Sequence, residues 1–300
     1  MPKRCVMNLN FEPISLAEQK RYLALLGQSH QVASDYSFLN LWAWAEEYGL
    51  HWAWEDNLVW IKQTRPEPCL WAPIGAWDSI DWRNRFAAQT DSPITIIRVP
   101  EKLVEYWRAA LGERVGIAEA REHWDYLYSA QDLIELKGNR FHKKKNLLNQ
   151  FLKSYEFSYM PFGPELIEQA MSMQQDWCTW RDCEGSDTLV AENKAIAKVL
   201  NNWQQLSGVT GGGLRVDNTL AAYTVAEIMP DNSLVIHFEK ACPDFKGSYQ
   251  AINQMFLEND PSPCTIVNRE QDLGDEGLRK AKLSYNPVDF VRKYRVTLWG

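Results

Sequence analysis

The chain has 300 residues, of which 45% are hydrophobic, and a formal net charge of −7. That length can hold one large domain or two of ordinary size, and the hydrophobic fraction is normal for a globular protein. The acidic balance argues against indiscriminate binding to nucleic acid or membranes, so no DNA partner is expected.

Periodic hydrophobic residues predict a mixed succession of helices and strands in the first half. The predicted elements, in chain order, are helices over 12–27 and 35–48, strands over 50–54, 58–62 and 69–72, a helix over 80–89, a strand over 94–99 and a helix over 101–111. Residues 116–128 are ambiguous, and a strand is expected in their latter half.

Residues 130–155 have a helical pattern and contain the densest basic run, made of Lys137, Arg140, His142, Lys143, Lys144 and Lys145. Successive residues lie about 100° apart on a helix, so three lysines in a row cannot share one face. Two interpretations stay open: a solvated helix face, or a site for phosphates.

The second half repeats the order of the first. Its predicted elements are helices over 164–176 and 192–206, strands over 211–216, 220–229 and 234–239, a helix opened by Gly247, a strand over 265–270, a helix from 276 and a last strand over 290–298. We therefore predict an α/β (α+β mixed-sheet) protein of two tandem modules. Their predicted bounds are 1–129 and 130–300, and a long basic helix opens the second.

The strand, helix and strand between 234 and 270 organise the second module. His237 and Glu239 share one face of the first strand, roughly 7 Å apart by the strand rise. Two strands joined by a helix should be parallel neighbours. Polar residues gather at their carboxyl ends, where sites on open α/β sheets lie: His237, Glu239, Asn268, Arg269, Glu270 and Asp272.

Five phrases of the sequence resemble an uncharacterised bacterial family related to the C-terminal catalytic domain of phosphatidylglycerol lysyltransferases. They lie at residues 138–145, 236–240, 249–254, 267–274 and 277–282. The resemblance covers most of the chain and is strongest from about 130 to 290. It implies two acetyltransferase-like (GNAT-type) modules in tandem. It also implies, as in the similar Fem-type peptidyltransferases, that aminoacyl-tRNA is the donor.

The function implied by the resemblance is transfer of an aminoacyl group to an amine or hydroxyl acceptor. The acceptor would be a small molecule, a peptide or a lipid headgroup, and no part of the sequence matches the lysyltransferases' membrane-spanning half. An acyl-coenzyme A N-acyltransferase is the alternative enzyme. Its phosphate loop would fall at 244–249, where Asp244 replaces an expected cation and Tyr249 an expected small residue. A non-catalytic binding module for an amino-acid-like metabolite or a peptide is the third possibility.

The candidate residues fall into three groups. The predicted catalytic residues are His237, Glu239 and Tyr285; the predicted substrate-binding residues are Asn268, Arg269, Glu270, Asp272, Lys246 and Gln250. The predicted phosphate-binding residues are Arg140, His142, Lys143, Lys144, Lys145, Arg279, Lys280 and Lys282. Acyl transfer needs a proton sink and a group that steadies the oxyanion. For each group a structural role stays open: a buried network for Glu239 with Lys240 or Arg269, core packing for His237 and Tyr285, and solvation for the cations.

Other chemistries have little support. Six cysteines at 5, 69, 178, 183, 242 and 264 are too scattered for a disulfide framework. Cys178 and Cys183 are spaced like zinc ligands, but no second pair accompanies them, so neither metal nor cofactor is expected. No Gly-x-Ser-x-Gly elbow occurs, and Gly211–Gly213 precede a strand and so make no dinucleotide loop. No apolar run approaches the roughly 20 residues of a membrane span, and the start lacks a signal-peptide segment, so a cytoplasmic location is expected.

Overall fold

The computed structural model describes residues 9–87, 93–180 and 186–299, without the side chains of 177–180. The chain packs into two compact units. Unit 1 takes in the described residues of Met1–Asp125, Gln271–Asp275 and Phe290–Gly300, and unit 2 those of Tyr126–Glu270 and Glu276–Asp289. Each unit is built on its own seven-stranded mixed sheet, which confirms the predicted fold class.

Unit 1 holds a sheet with the strand order β1-β2-β3-β4-β5-β14-β6. Its strands are β1 (Glu12–Pro13), β2 (His51–Glu55), β3 (Leu58–Gln63), β4 (Cys69–Gly75), β5 (Ile94–Pro100), β6 (Val115–Glu119) and β14 (Lys293–Leu298). Its helices are α1 (Gln19–Leu26), α2 (Phe38–Ala43), α3 (Ala45–Tyr48), α4 (Trp82–Arg85) and α5 (Glu101–Leu111). Helix α5 buries Leu103, Val104, Trp107 and Leu111, a helical spacing that places one apolar face in the core.

Unit 2 holds a sheet with the strand order β13-β7-β12-β11-β10-β9-β8. Its strands are β7 (Asp125–Ser129), β8 (Phe157–Pro161), β9 (Val209–Val216), β10 (Thr219–Ile228), β11 (Leu234–Ala241), β12 (Ile266–Asn268) and β13 (Asp289–Val291). Its helices are α6 (Ala130–Glu135), α7 (His142–Ser154), α8 (Pro164–Trp180), α9 (Asp187–Asn201), α10 (Ser248–Asn259) and α11 (Glu276–Leu283).

Each sheet contains one strand from the other half of the chain. The last strand, β14, pairs antiparallel with β5 and β6 in unit 1. Strand β7 pairs antiparallel with β12 in unit 2. The strand predicted at 290–298 therefore completes the first sheet, and the one predicted before residue 130 belongs to the second. The domain boundary at 129/130 stays a prediction.

The prediction of one long helix over 130–155 is wrong, because the chain forms two helices there, α6 and α7. Leu136 and Gly138 between them have φ angles of 46° and 87°, in the left-handed region that a helix cannot contain. Smaller differences concern the helix predicted at 12–27, of which only α1 is α-helical, and strand β8, which was not predicted. The helix predicted at 80–89 is confined to α4 within the described residues.

The two central parallel strands of each sheet separate after a short pairing. In unit 2, β11 and β12 pair in parallel only at Leu234–Val267 and Val235–Asn268, which confirms the predicted parallel neighbours. Beyond Val235, β11 runs on to Ala241 without a β12 partner. His237 falls in a register shift of the β10–β11 ladder, a β-bulge of the kind that redirects a side chain. The result is an opening at the carboxyl ends of β11 and β12.

Candidate functional site

An ion pair lies at the opening between β11 and β12. Arg269, the first residue after β12, donates from Nη2 to Oε1 of Glu239 on β11 at 2.7 Å. Asn253 on α10 donates to the other carboxylate oxygen at 3.3 Å. Burial by itself would lower the pKa of Arg269, but the charge of Glu239 raises that pKa well above its ordinary value. Arg269 is therefore a fixed, permanently charged guanidinium at the site.

Tyr285 lies close to two cations. The Nζ atom of Lys144 is 4.0 Å from the centroid of the Tyr285 ring, and Cζ of Arg269 is 5.0 Å from it. Gln250 on α10 donates a hydrogen bond to the Tyr285 hydroxyl at 3.3 Å. Burial raises the pKa of Tyr285, while Arg269 lowers it, and the net change is upward. The hydroxyl therefore keeps its proton at neutral pH.

Helix α7 brings Lys144 into the site because it packs directly on the start of α10. Gly247, the residue before α10, has a φ of 89°, and a Cβ atom there would lie 2.2 Å from the carbonyl oxygen of Leu147. Only glycine permits this close approach of the two backbones. The Tyr155 hydroxyl also accepts a hydrogen bond from the Lys246 amide at 3.2 Å. The amino-terminal end of α10 is thus covered by α7 and Tyr155.

His237 is enclosed between two carboxylates. Its Nδ1 lies 2.8 Å from Glu270 and its Nε2 lies 3.3 Å from Glu227, and the imidazole is fully buried. Burial by itself would lower the pKa of His237, but the hydrogen bonds with Glu227 and Glu270 raise it to about 9. A protonated ring with both nitrogens engaged favours the structural alternative over the predicted role as proton acceptor.

The raised pKa makes a pH-dependent contribution to stability. Because the pKa of His237 is about 9 in the folded protein against 6.5 for the free group, the contribution is complete below pH 6.5 and disappears through pH 9. We expect the loss of unfolding free energy in His237→Gln to shrink by about 3 kcal/mol between pH 6 and pH 10. Urea denaturation of both proteins across that range measures it. A pH-independent difference would contradict the assigned protonation.

The remaining predicted substrate-binding residues differ in where they lie relative to the opening. Asn268 is buried, and its side chain accepts a hydrogen bond from the Glu270 amide at 2.8 Å. Asp272 belongs to unit 1, where it is buried against Arg121 and accepts from the Gly274 amide. Lys246 is exposed, and Gln250 contacts Tyr285. The site therefore unites Arg269 and Gln250 with Glu239 and Tyr285, and does not include Asp272.

Some of the predicted phosphate-binding residues bond to other groups of the protein, and others are exposed. Arg140 pairs with Asp132 at 2.7 Å, and Lys282 donates to the backbone carbonyls of Arg269 and Glu270. Arg279 is half-buried with a partner of its own. The exposed members are His142, Lys143, Lys145 and Lys280. Lys144 alone of the lysine run is turned to the site, as the 100° spacing of neighbours allows.

Sequence reasoning assigned no role to three participants. Asn253 orients Glu239, and Glu227 holds His237. Glu192 of α9 forms a 2.7 Å ion pair with the buried Lys240. Glu227 had a usable signal, because it is the single charge in the apolar run of β10. Cys183 and the side chain of Cys178 lie outside the described residues, so the zinc hypothesis stays untested.

Two mixed sheets, each opened between its central parallel strands, define an acetyltransferase-like fold, and one opening holds an ion pair and a tyrosine. The chain belongs to the family of phosphatidylglycerol lysyltransferase C-terminal domains, whose model matches residues 27–297. This confirms the family resemblance drawn from the sequence.

Solved and curated relatives agree with this assignment. A crystal structure of a conserved protein of unknown function from Bacteroides thetaiotaomicron is 31% identical, with 97% of this chain and 100% of that one covered and a TM-score of 0.87. The C-terminal domain of a putative lysylphosphatidylglycerol synthetase from Agrobacterium fabrum shares the fold at 12% identity, 95% and 93% coverage and a TM-score of 0.62. An uncharacterised protein from Mycoplasmoides gallisepticum is 25% identical over 174 residues, 57% of this chain and 55% of that protein, about half its length.

Two properties of the described residues bear on partners. Among the helices of residues 9–87, 93–180 and 186–299, none is both long and apolar enough to cross a membrane. The same residues contain no group of three or more His, Cys, Asp or Glu side chains able to hold a metal ion.

Proposed function

We propose that the protein transfers an aminoacyl group from tRNA to an amine or hydroxyl acceptor. The observation that carries the proposal is the cluster at the β11–β12 opening, where Lys144 and Arg269 both lie close to the Tyr285 ring. Membership of the phosphatidylglycerol lysyltransferase family supports an aminoacyl donor, with lysine as the first amino acid to test. The acceptor belongs to the predicted set of small molecules, peptides and lipid headgroups.

In the proposed reaction Tyr285 moves the proton. The acceptor nitrogen forms a bond with the ester carbonyl carbon, and the bond from that carbon to the ribose oxygen breaks. The ribose oxygen takes the proton of Tyr285, and Tyr285 regains a proton from the newly bonded nitrogen. Arg269 binds the aminoacyl group, and Glu239 is a positioning residue because it fixes Arg269 at 2.7 Å.

The covered end of α10 argues against a coenzyme A donor. Coenzyme A-dependent relatives bind pyrophosphate with free backbone amides at this helix start. Here the Leu147 carbonyl lies against Gly247, and the Lys246 amide is bonded to Tyr155. The covered helix start is therefore a steric argument against coenzyme A. It adds to the argument from Asp244 and Tyr249, which replace the cation and the small residue expected there.

The first turn of α7 supports a polyanionic donor. It contains His142, Lys143, Lys144 and Lys145, with no acidic residue and no side-chain cap. Cations at a helix amino terminus oppose the helix dipole, typically at 0.3–1 kcal/mol each, so the arrangement is unfavourable without an anion. In the described part of the chain, Lys143 and Lys145 have no ion pair, which leaves them available to tRNA phosphates. A charged tRNA donor also implies a cytoplasmic location.

Titration of the purified protein with charged tRNA, uncharged tRNA and coenzyme A tests the donor. We expect charged tRNA to bind more tightly than uncharged tRNA, and coenzyme A not to bind. Binding of coenzyme A together with acyl transfer from its thioester would instead establish the alternative enzyme. Binding of a free amino acid without turnover on either donor would indicate a non-catalytic module.

The exposed lysines of α7 give a separate prediction. Each phosphate contact adds about 0.7–0.9 to the slope of log affinity against log salt. The Lys143→Ala/Lys145→Ala double variant is therefore expected to weaken tRNA binding and to reduce that slope by between about 1 and 2. Affinities at several salt concentrations measure the slope. A matched control is Lys20→Ala/Lys153→Ala, which removes one exposed lysine of α1 and one from the last turn of α7. Equal slopes for both variants would favour a merely solvated helix face.

A further inference from the structure

Lys144 differs from every other lysine of the basic run. It is half-buried, while Lys143 and Lys145 are exposed. Its ammonium group lies 4.0 Å from the centroid of the Tyr285 ring. Within the residues that the structure describes, it makes no hydrogen bond and no ion pair. A cation withdrawn from water is costly unless a negative charge compensates it.

The groups around Lys144 do not supply that negative charge. Arg269, whose Cζ lies 5.0 Å from the centroid of the same tyrosine ring, is positive, and its countercharge Glu239 is already bonded to it and to Asn253. Gln250 and Tyr285 are neutral at neutral pH. Burial, and then the charge of Arg269, lower the pKa of Lys144. The site therefore holds one more positive charge than negative charge and is suited to an anion.

We propose that Lys144 is a catalytic residue that binds the oxyanion formed during aminoacyl transfer. This inference rests on the proposed function. When the acceptor nitrogen bonds to the ester carbonyl carbon, the carbonyl π electrons move onto oxygen and give it a full negative charge. Lys144 stabilises that charge until the electrons return, the bond to the ribose oxygen breaks and the ribose oxygen takes the Tyr285 proton. No oxidant, reductant or further reactant enters the step.

The position of Lys144 distinguishes this role from binding a tRNA backbone phosphate. The oxyanion and the leaving ribose oxygen are bonded to the same carbon. A tyrosine that protonates the leaving oxygen therefore lies within a few ångströms of the oxyanion as well, and Lys144 lies against that tyrosine. A group that attracts charge developing only in the transition state accelerates the reaction, whereas uniform binding of the substrate does not.

Two analogues of the aminoacylated 3′-adenosine test the inference without an activity measurement. One carries a planar amide in place of the ester, and the other a tetrahedral, anionic phosphonate. Both carry the amino acid whose charged tRNA binds most tightly. We expect the wild-type protein to bind the phosphonate at least about tenfold more tightly than the amide. Lys144→Met is expected to abolish most of that preference while changing amide affinity by less than about twofold.

Two further variants separate charge from structure. Lys144→Arg keeps the charge and is expected to keep the preference for the phosphonate. Lys153→Met removes an exposed lysine from the last turn of the same helix and is expected to change neither affinity. Equal weakening of both analogues in Lys144→Met would indicate a structural role and overturn the inference, as would an unchanged preference. If charged tRNA binds the wild-type protein but neither analogue does, the inference fails and the proposed donor stands. If charged tRNA does not bind either, the proposed function fails and the inference fails with it.

Discussion

Replacing Lys293 with methionine is expected to destabilise the protein by about 3–5 kcal/mol, the usual cost of leaving buried charges uncompensated. Lys293 is fully buried at the start of β14, where its ammonium group bonds to Asp35 and, at 2.6 Å, to Asp125. Burial by itself would raise the pKa of Asp35, but the charges of Arg98 and Lys293 hold that pKa well below its ordinary value. Without Lys293, Asp35 keeps its ion pair with Arg98, whereas Asp125 keeps its hydrogen bonds from Ser34 and loses the Lys293 cation.

Urea denaturation at pH 7 measures the effect. The control is Lys20→Met on α1, an exposed lysine whose loss should cost less than about 0.5 kcal/mol. Adding Asp125→Asn to Lys293→Met removes the buried negative charge that lost the Lys293 cation, so the double variant should be more stable than the single one. A single variant as stable as the control would show that the network does not hold β14 in unit 1.

The parts of the fold set by local sequence could be predicted. Gly247, Ile252, Met255 and Phe256 follow the helical spacing, so the helix between β11 and β12 and the parallel pairing of those strands were both predictable. The sequence did not predict that β7 belongs to the second sheet and β14 to the first. Antiparallel strands that pair across a long stretch of sequence leave no local pattern. The break at Leu136 was also hidden, since a leucine rarely adopts a positive φ and its pattern is that of a helix.

The sequence predicted which residues belong to the candidate site better than it predicted their roles. Two partners were predicted for a buried Glu239 network, Lys240 and Arg269, and the structure has the pair with Arg269. Strand alternation placed His237 on the same face as Glu239. The bulge at His237 broke that alternation, and a bulge depends on the neighbouring strand as well as on the sequence. Helical geometry predicted that the three lysines diverge, but only packing on Gly247 determined that Lys144 is the inward one.

Replacing Tyr285 with phenylalanine is expected to lower the rate of aminoacyl transfer by about 10²–10⁴-fold, the usual contribution of a positioned acid or base. The loss of one hydrogen bond, from Gln250, should cost only about 0.5–1.5 kcal/mol of stability. The hydroxyl has a proton to donate because its pKa is raised and it stays protonated at neutral pH. Because the proposed role of Tyr285 is proton transfer, charged tRNA should bind the variant as tightly as it binds the wild type.

Single-turnover transfer of a labelled aminoacyl group from tRNA to hydroxylamine, a small general acceptor, measures the rate after subtraction of the uncatalysed reaction. Tyr159→Phe is the matched control, because Tyr159 lies over Gly212 in β9 and no hydrogen bond of its hydroxyl reaches the site. A slow Tyr285→Phe variant with normal tRNA affinity, beside a fully active Tyr159→Phe variant, would separate proton transfer from substrate binding. A Tyr285→Phe variant that transfers at the wild-type rate would reduce Tyr285 to a packing residue and leave the proton route without its central group.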